Sequence, residues 1–260
     1  MPRLVRLAAL VALGLIAALP ASAQTLDAAA WGRVLARYVD SRGNVDYAGV
    51  KRDRALTPVL ASLAAARPEA LPAREQIAFW INAYNAGAIA LVAEHYPVVS
   101  IQRITPSGFP VALPGTEQSP FKVRFLDVAG QRRTLDEIEH EILRRRFREP
   151  RIHAALVCAA VSCPALRREP YAGARLDAQL DEQMRRWLRD RSKNRIPDGR
   201  DQIALSAIFD WFRNDFGGSD AAVQRFLARY VAGDVAARLA RGAYRVRHLP
   251  YDWRLNDARR

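Results

Sequence analysis

The spacing of apolar positions along the chain predicts mostly helices. Leu26, Trp31, Leu35 and Tyr38 recur at helical intervals, which predicts a helix over 26–40. Gly43-Asn44 marks a turn, and Val45-Asp46-Tyr47 is a short extended piece. A second helix is expected over 55–66, ended by Pro68, and the longest over 73–95, closed by Pro97. A Pro- and Gly-rich stretch from 105 to 120 reads as a loop. Residues 121–128 alternate as a strand, Ala129-Gly130 turns it, and 131–133 return. Thr134 with Glu137 three residues on is a capping box, opening a helix through about Phe147. The apolar run 152–158 fits either a strand or a buried helical turn. An amphipathic helix is expected over 176–189. Ser206 caps a helix holding Phe209, Trp211 and Phe212, which Gly217-Gly218 ends. Helices over 220–231 and 234–241 and a strand over 244–249 complete the reading. The predicted fold class is α+β: a helix-dominated single domain over 24–260 with a small, mostly antiparallel sheet.

The first residues follow a different pattern. Arg3 and Arg6 precede an uncharged run over 7–19, Pro20 breaks it, and Ala21-Ser22-Ala23 follows. A basic start, a short apolar stretch and an A-x-A site are the layout of a cleavable secretory signal, assigned to residues 1–23. The run is short of the roughly 20 residues that span a bilayer, so no permanent membrane anchor is expected. Cleavage would leave Gln24 first, and no later segment reads as long and apolar enough to span a membrane. The expected location is periplasmic or secreted.

Composition adds a strong positive charge. Only Lys51, Lys122 and Lys193 are lysines, and the remaining 37 basic residues are arginines. Without Arg3 and Arg6, 38 basic side chains face 27 acidic ones. Such a surface suits an anionic polymer. The arginines are spread out, however, and no nucleic-acid-binding motif accompanies them. The partners considered are therefore an anionic envelope polymer or a peptide-like ligand, and not nucleic acid.

Three places hold candidate chemistry. Asn82 and Asn85 sit three apart in the apolar helix, among Phe79, Trp80, Ile81 and Tyr84. Residues three apart share a helix face, and buried amides need partners. The pair is either one wall of a site or a tie to another segment, expected at 153–164. The second place, RIHAALVCAAVSCPAL, holds His153 and the only cysteines, Cys158 and Cys163. In an oxidising compartment the two cysteines close a disulfide. Alternatively, Cys163 is a thiolate nucleophile activated by His153. Their spacing matches no zinc module, so no metal and no cofactor are expected. The third place is a scatter of charges: Glu139 and His140, Arg151, and Asp210 with Asp215 around Trp211 and Phe212. The ordinary role of such charges is a solvated face.

FWINAYNA at 79–86, RIHAALVCAAVSCPAL at 151–166, FDWFRNDFG at 209–217 and YDWRLN at 251–256 occur in this order. Together they resemble the DUF547 family over roughly residues 65–256. That resemblance implies a shared fold and no particular reaction. It marks Asn82, Asn85, His153, Cys158, Cys163 and Asp252 as positions to test. Two function classes follow. One is an exported envelope protein with a binding or non-catalytic domain. The other is a Cys-His-dependent hydrolase or acyl transferase distantly like papain or transglutaminase domains. The second would use His153 and Cys163, with Asn82 or Asn85 as orienter or oxyanion donor. Those domains carry their cysteine at the start of the apolar helix, and here that helix has none.

Overall fold

The computed structural model describes residues 25–104, 119–197 and 200–259. The leader and most of the predicted 105–120 loop lie outside them. The chain opens with α1 (Ala28–Tyr38), α2 (Tyr47–Arg52) and α3 (Thr57–Ala65). Asp27 and Asp46 cap the first two by accepting from the Ala30 and Gly49 N–H groups. α4 (Ala73–His95) follows, with the limits that the hydrophobic run predicts.

α4 is the axis of the fold. From Ala78 to Ile89 every side chain is buried, because neighbouring elements wrap all of its faces. It also corrects one expectation. By length and a mean hydropathy of 1.2 it is apolar enough to cross a membrane, but 83% of that window is buried inside the protein. Gly87 lets β1 (Leu126–Val128) lie close against it. A Cβ there would come within 2.6 Å of a Leu126 methyl.

β1 pairs antiparallel with β2 (Gln131–Arg133), Leu126 opposite Arg133. The expected strand over 121–128 is shorter than its alternation suggested. Pro120 sets a 3₁₀ turn, Pro120–Lys122, that holds its first residues out of the ladder. Both halves of the predicted capping box form. Glu137 N–H donates to Thr134 Oγ1 at 2.8 Å, and Thr134 N–H to the Glu137 carboxylate at 3.1 Å. The helix they open, Glu137–Phe147, is a π-helix, a rare form frequent at functional sites.

The ambiguous run after it becomes a 3₁₀ turn, Pro150–Ala154, followed by extended chain. α5 (Leu176–Arg189) matches its predicted limits. β3 (Gln202–Ser206) was not expected. It pairs in parallel with β4 (Arg245–Leu249), Gln202 opposite Arg245 through Ser206 opposite Leu249. Between the strands lie α6 (Ile208–Trp211), α7 (Asp220–Leu227) and α8 (Gly233–Ala240). The expected cap shifts by one residue: Ala207, not Ser206, is the cap position of α6, and the Ser206 hydroxyl, at the end of β3, accepts from Ile208 N–H at 3.3 Å. Isolated antiparallel bridges join Val39 to Val45, Ala160 to Leu255 and Arg195 to Ala204. The architecture is helix-dominated α+β.

Two hydrophobic clusters stabilise it. One surrounds α4 with Trp31, Trp80 and Leu135, and the other joins Trp187, Phe209 and Leu227 under β3. Tyr251 packs against both.

Candidate functional site

The cleft between those clusters is about 200 Å³. The π-helix supplies Asp136 at its cap and Glu139 and His140 from its first turns, and Tyr84 comes from α4. The 3₁₀ turn brings His153, and the loop after it brings Cys158 and Cys163. Trp211, Phe212, Tyr251 and Trp253 complete the walls.

His153 is held from behind by its neighbour. The Arg151 guanidinium donates to Glu149 and, at 2.8 Å each, to Asp177 and Asp181 of α5. The turn is therefore fastened to α5, and the His153 side chain is only 2% exposed. Its ring stacks on Phe212 at 4.1 Å between centroids. Its Nε2–H donates to Asp215 at 2.7 Å. Arg144 donates twice to the same carboxylate, at 2.6 and 2.9 Å, and once to His140 Nδ1 at 2.9 Å. A continuous chain of hydrogen bonds therefore runs His153–Asp215–Arg144–His140.

The charges in this chain follow from its surroundings. Burial pushes the His153 pKa down, against the pull of Asp215, so the ring is neutral at neutral pH. Burial opposes the Asp215 charge as well. There the bonds from His153 and Arg144 outweigh it and hold the carboxyl well below the usual range. Glu139 goes the other way. It keeps some exposure at the cleft wall, but its carboxyl is packed densely enough that burial pushes it up to about 7. Tyr84 donates a hydrogen bond to it, and Arg144 also favours its charge, without reversing that shift. Near neutral pH the cleft thus holds a partly protonated carboxyl and, across it, a neutral histidine.

The sulfur atoms of Cys158 and Cys163 lie at disulfide distance, with Cα atoms 6.3 Å apart. Cys163 is buried and Cys158 half-buried. The Tyr251 hydroxyl reaches both sulfurs, at 3.1 and 3.2 Å, and Cys158 N–H points at Cys163 Sγ at 3.0 Å. The YDWRLN segment holds Tyr251 there. Asp252 N–H donates to the Ser162 hydroxyl at 2.8 Å, and Ser162 N–H to the Asp252 carbonyl at 3.2 Å. The Asp252 carboxylate turns outward to Arg254.

The asparagines lie elsewhere. Asn85 Nδ2 donates to the Ala155 carbonyl and its Oδ1 accepts from Val157 N–H, each at 2.9 Å. It therefore ties α4 to the segment between His153 and Cys158. Asn82 does not join it. Its Nδ2 donates to the Tyr171 carbonyl at 2.8 Å, and its Oδ1 accepts from Tyr171 N–H and Trp31 Nε1–H. Three apart on a straight helix leaves a large angular offset, enough to send the two amides to different segments. Both are buried in the core and neither lines the cleft, whereas His153 and Cys163 both do.

The residues that complete the site were visible only as scattered charges. By sequence alone Glu139, His140 and Asp215 fit a solvated face, and Arg144 is one of many dispersed arginines. The usable signal was apolar company. Asp215 sits in FDWFRNDFG and Tyr251 in YDWRLN, two stretches that interleave aromatic and ionisable residues.

Fold and cleft together define a helix-dominated α+β protein whose central helix and π-helix frame a paired-sulfur site. A family model described as a protein of unknown function, DUF547, matches residues 68–188. The match spans α4, Glu139, His153 and both cysteines, as the ordered motifs implied. Asp215 and Tyr251 lie beyond it. The family description names no reaction. No curated protein and no solved structure matches the chain.

Proposed function

We propose that the protein is an exported envelope domain that binds a peptide-like ligand in this cleft. The supporting observation is an aromatic rim over a polar floor. Trp211 is 48% exposed, stacks with Trp253 at 5.9 Å and meets Tyr251 at 4.7 Å. Aromatic faces hold apolar or amide groups at little cost in side-chain entropy. Below them, Glu139, partly protonated near neutral pH, and the half-buried His140 offer polar groups to a backbone amide. Among the described lining residues there is Asp136 and no lysine or arginine, which disfavours an anionic polymer here. About 200 Å³ suits one side chain of an extended peptide.

The test is tryptophan fluorescence during titration with a positional library of blocked, cysteine-free tetrapeptides. Saturable changes are expected, weakened about ten-fold by Trp211→Ala, as one aromatic contact of about 1.4 kcal/mol implies. A flat response to every peptide would refute the reading.

One observation favours the second class. A histidine whose nitrogen is held by a carboxylate at 2.7 Å is the base-and-orienter arrangement of thiol and serine hydrolases. That reading requires a free thiolate at Cys163 and oxyanion donors other than Asn82 and Asn85, whose amides are occupied. Alkylation of unreduced, denatured protein separates the two: no added label for the disulfide, two labels for the hydrolase.

A further inference from the structure

The cleft treats its two sulfurs unequally, and that inequality has chemical consequences. Cys158 is half-buried and borders the open volume, while Cys163 is 1% exposed. Three features bear on Cys163 as a leaving group. The Cys158 N–H points at its Sγ alone, at 3.0 Å, the Tyr251 O–H lies 3.2 Å from it and 3.1 Å from Cys158 Sγ, and Glu139 lines the same cleft. Donors aimed at one sulfur stabilise negative charge there, and a stabilised thiolate leaves faster. A disulfide that only pins a loop needs none of this.

We propose that Cys158–Cys163 is a thiol–disulfide exchange site, with Cys158 the sulfur attacked and Cys163 the sulfur released. The substrate class is a peptide bearing two thiols, so the proposal rests on the reading of the cleft as a peptide site. One thiolate of the peptide attacks Cys158 Sγ. A peptide–Cys158 bond forms as the Cys158–Cys163 bond breaks, and the electron pair passes to Cys163, which takes a proton. The second peptide thiolate then attacks the peptide sulfur of the mixed disulfide and expels Cys158 as thiolate, which is protonated in turn. The peptide leaves with a disulfide, oxidised by two electrons, and the protein keeps two thiols. The two protons come from the peptide thiols. Tyr251 lies against both sulfurs and Glu139 lines the same cleft, and burial raises the Glu139 carboxyl to about 7, where it both takes and gives a proton near neutral pH. Regeneration takes a second disulfide compound, such as oxidised glutathione.

The experiment uses the full mature chain and small thiols, so it does not depend on peptide affinity. Oxidised protein is mixed with reduced glutathione in 0 M and in rising sub-denaturing urea, and the pair is read by the mass added on alkylation. Reduction from the native state gives a rate nearly flat in urea, because Cys158 is reached without unfolding. A rate that climbs with the slope of global unfolding overturns the proposal. Cys163→Ser should capture glutathione from its oxidised form at Cys158 about ten-fold faster than Cys158→Ser captures it at Cys163. Equal or reversed rates also overturn it. If a variant fails to fold, the wild-type urea series still decides. Exchange with glutathione but no binding of cysteine-free peptides would sink the peptide reading alone. Binding without exchange would sink this one alone.

Discussion

Asn85→Ala isolates the bond between the central helix and the segment that carries the sulfur pair. The amide satisfies two backbone groups, the Ala155 carbonyl and the Val157 N–H, each at 2.9 Å and buried. Truncation leaves both without that partner inside the core. An unpaired buried group costs about 1–3 kcal/mol, so the two together cost about 2–6 kcal/mol. In a chain of this size about 1 kcal/mol moves the melting temperature by about 2–4 °C, giving a fall of roughly 4–24 °C. Urea unfolding followed by circular dichroism measures the free energy, and a thermal melt in the same buffer measures the shift. Asn85→Leu controls for the cavity, since it fills the volume and leaves the same groups unpaired. It should be about as unstable as Asn85→Ala. A loss under about 1 kcal/mol in both variants, or recovery in the leucine variant, would refute the reasoning.

Glu139→Gln probes the raised carboxyl. A folded pKa of about 7 lies above the ordinary glutamate value, so the stability linked to Glu139 is fully present below about pH 4.5 and lost as pH rises through 7. The variant should match wild type near pH 5 and exceed it in urea resistance at pH 8.5, and equal curves at pH 8.5 would count against a buried protonated acid. Asp215→Asn removes the acceptor that opposes burial at His153, so the ring should titrate even lower in proton NMR; an upward shift contradicts the hydrogen-bond chain. The Asp215 carboxyl is held below its ordinary range, so its contribution stands above about pH 4 and fades as pH falls. In wild type, acid unfolding should therefore begin at lower pH than in Asp215→Asn. Mass spectrometry of protein from its native host should find an N-terminus at or near Gln24, and a retained Met1 would end the export reading.

The elements that the sequence reveals are those whose signal is local. α4 and α5 match their predicted limits because apolar periodicity and flanking breakers act within a few residues. The Thr134–Glu137 box is equally local, and both of its bonds are present. β3 was missed because its partner lies more than forty residues on, and parallel pairing leaves no hairpin turn to read. The cysteine–histidine neighbourhood was legible, since His153, Cys158 and Cys163 share one segment. The carboxylates were not. Asp215 meets His153 across 62 residues and Arg144 across 71, and no spacing rule encodes such meetings. The π-helical form of Glu137–Phe147 was likewise unreadable, because its capping box opens an α-helix just as well.

The YDWRLN segment reaches far from its place in the chain. Val45 N–H donates to the Asn256 carbonyl, Tyr47 O–H to the Asn256 side chain at 2.6 Å, and Tyr96 O–H to Asp257 at 2.8 Å. The same strip carries Tyr251 over the sulfurs. A ribosome therefore delivers Cys158 and Cys163 long before the residue that covers them. During synthesis the thiols face solvent with no tyrosine between them and passing oxidants or partners. The strip from Tyr251 to Asn256, by bonding to Val45 and Tyr47 and lying against the sulfurs, finishes the chamber. The order of synthesis is thus a timing device: both cysteines exist well before the tyrosine that lies against them.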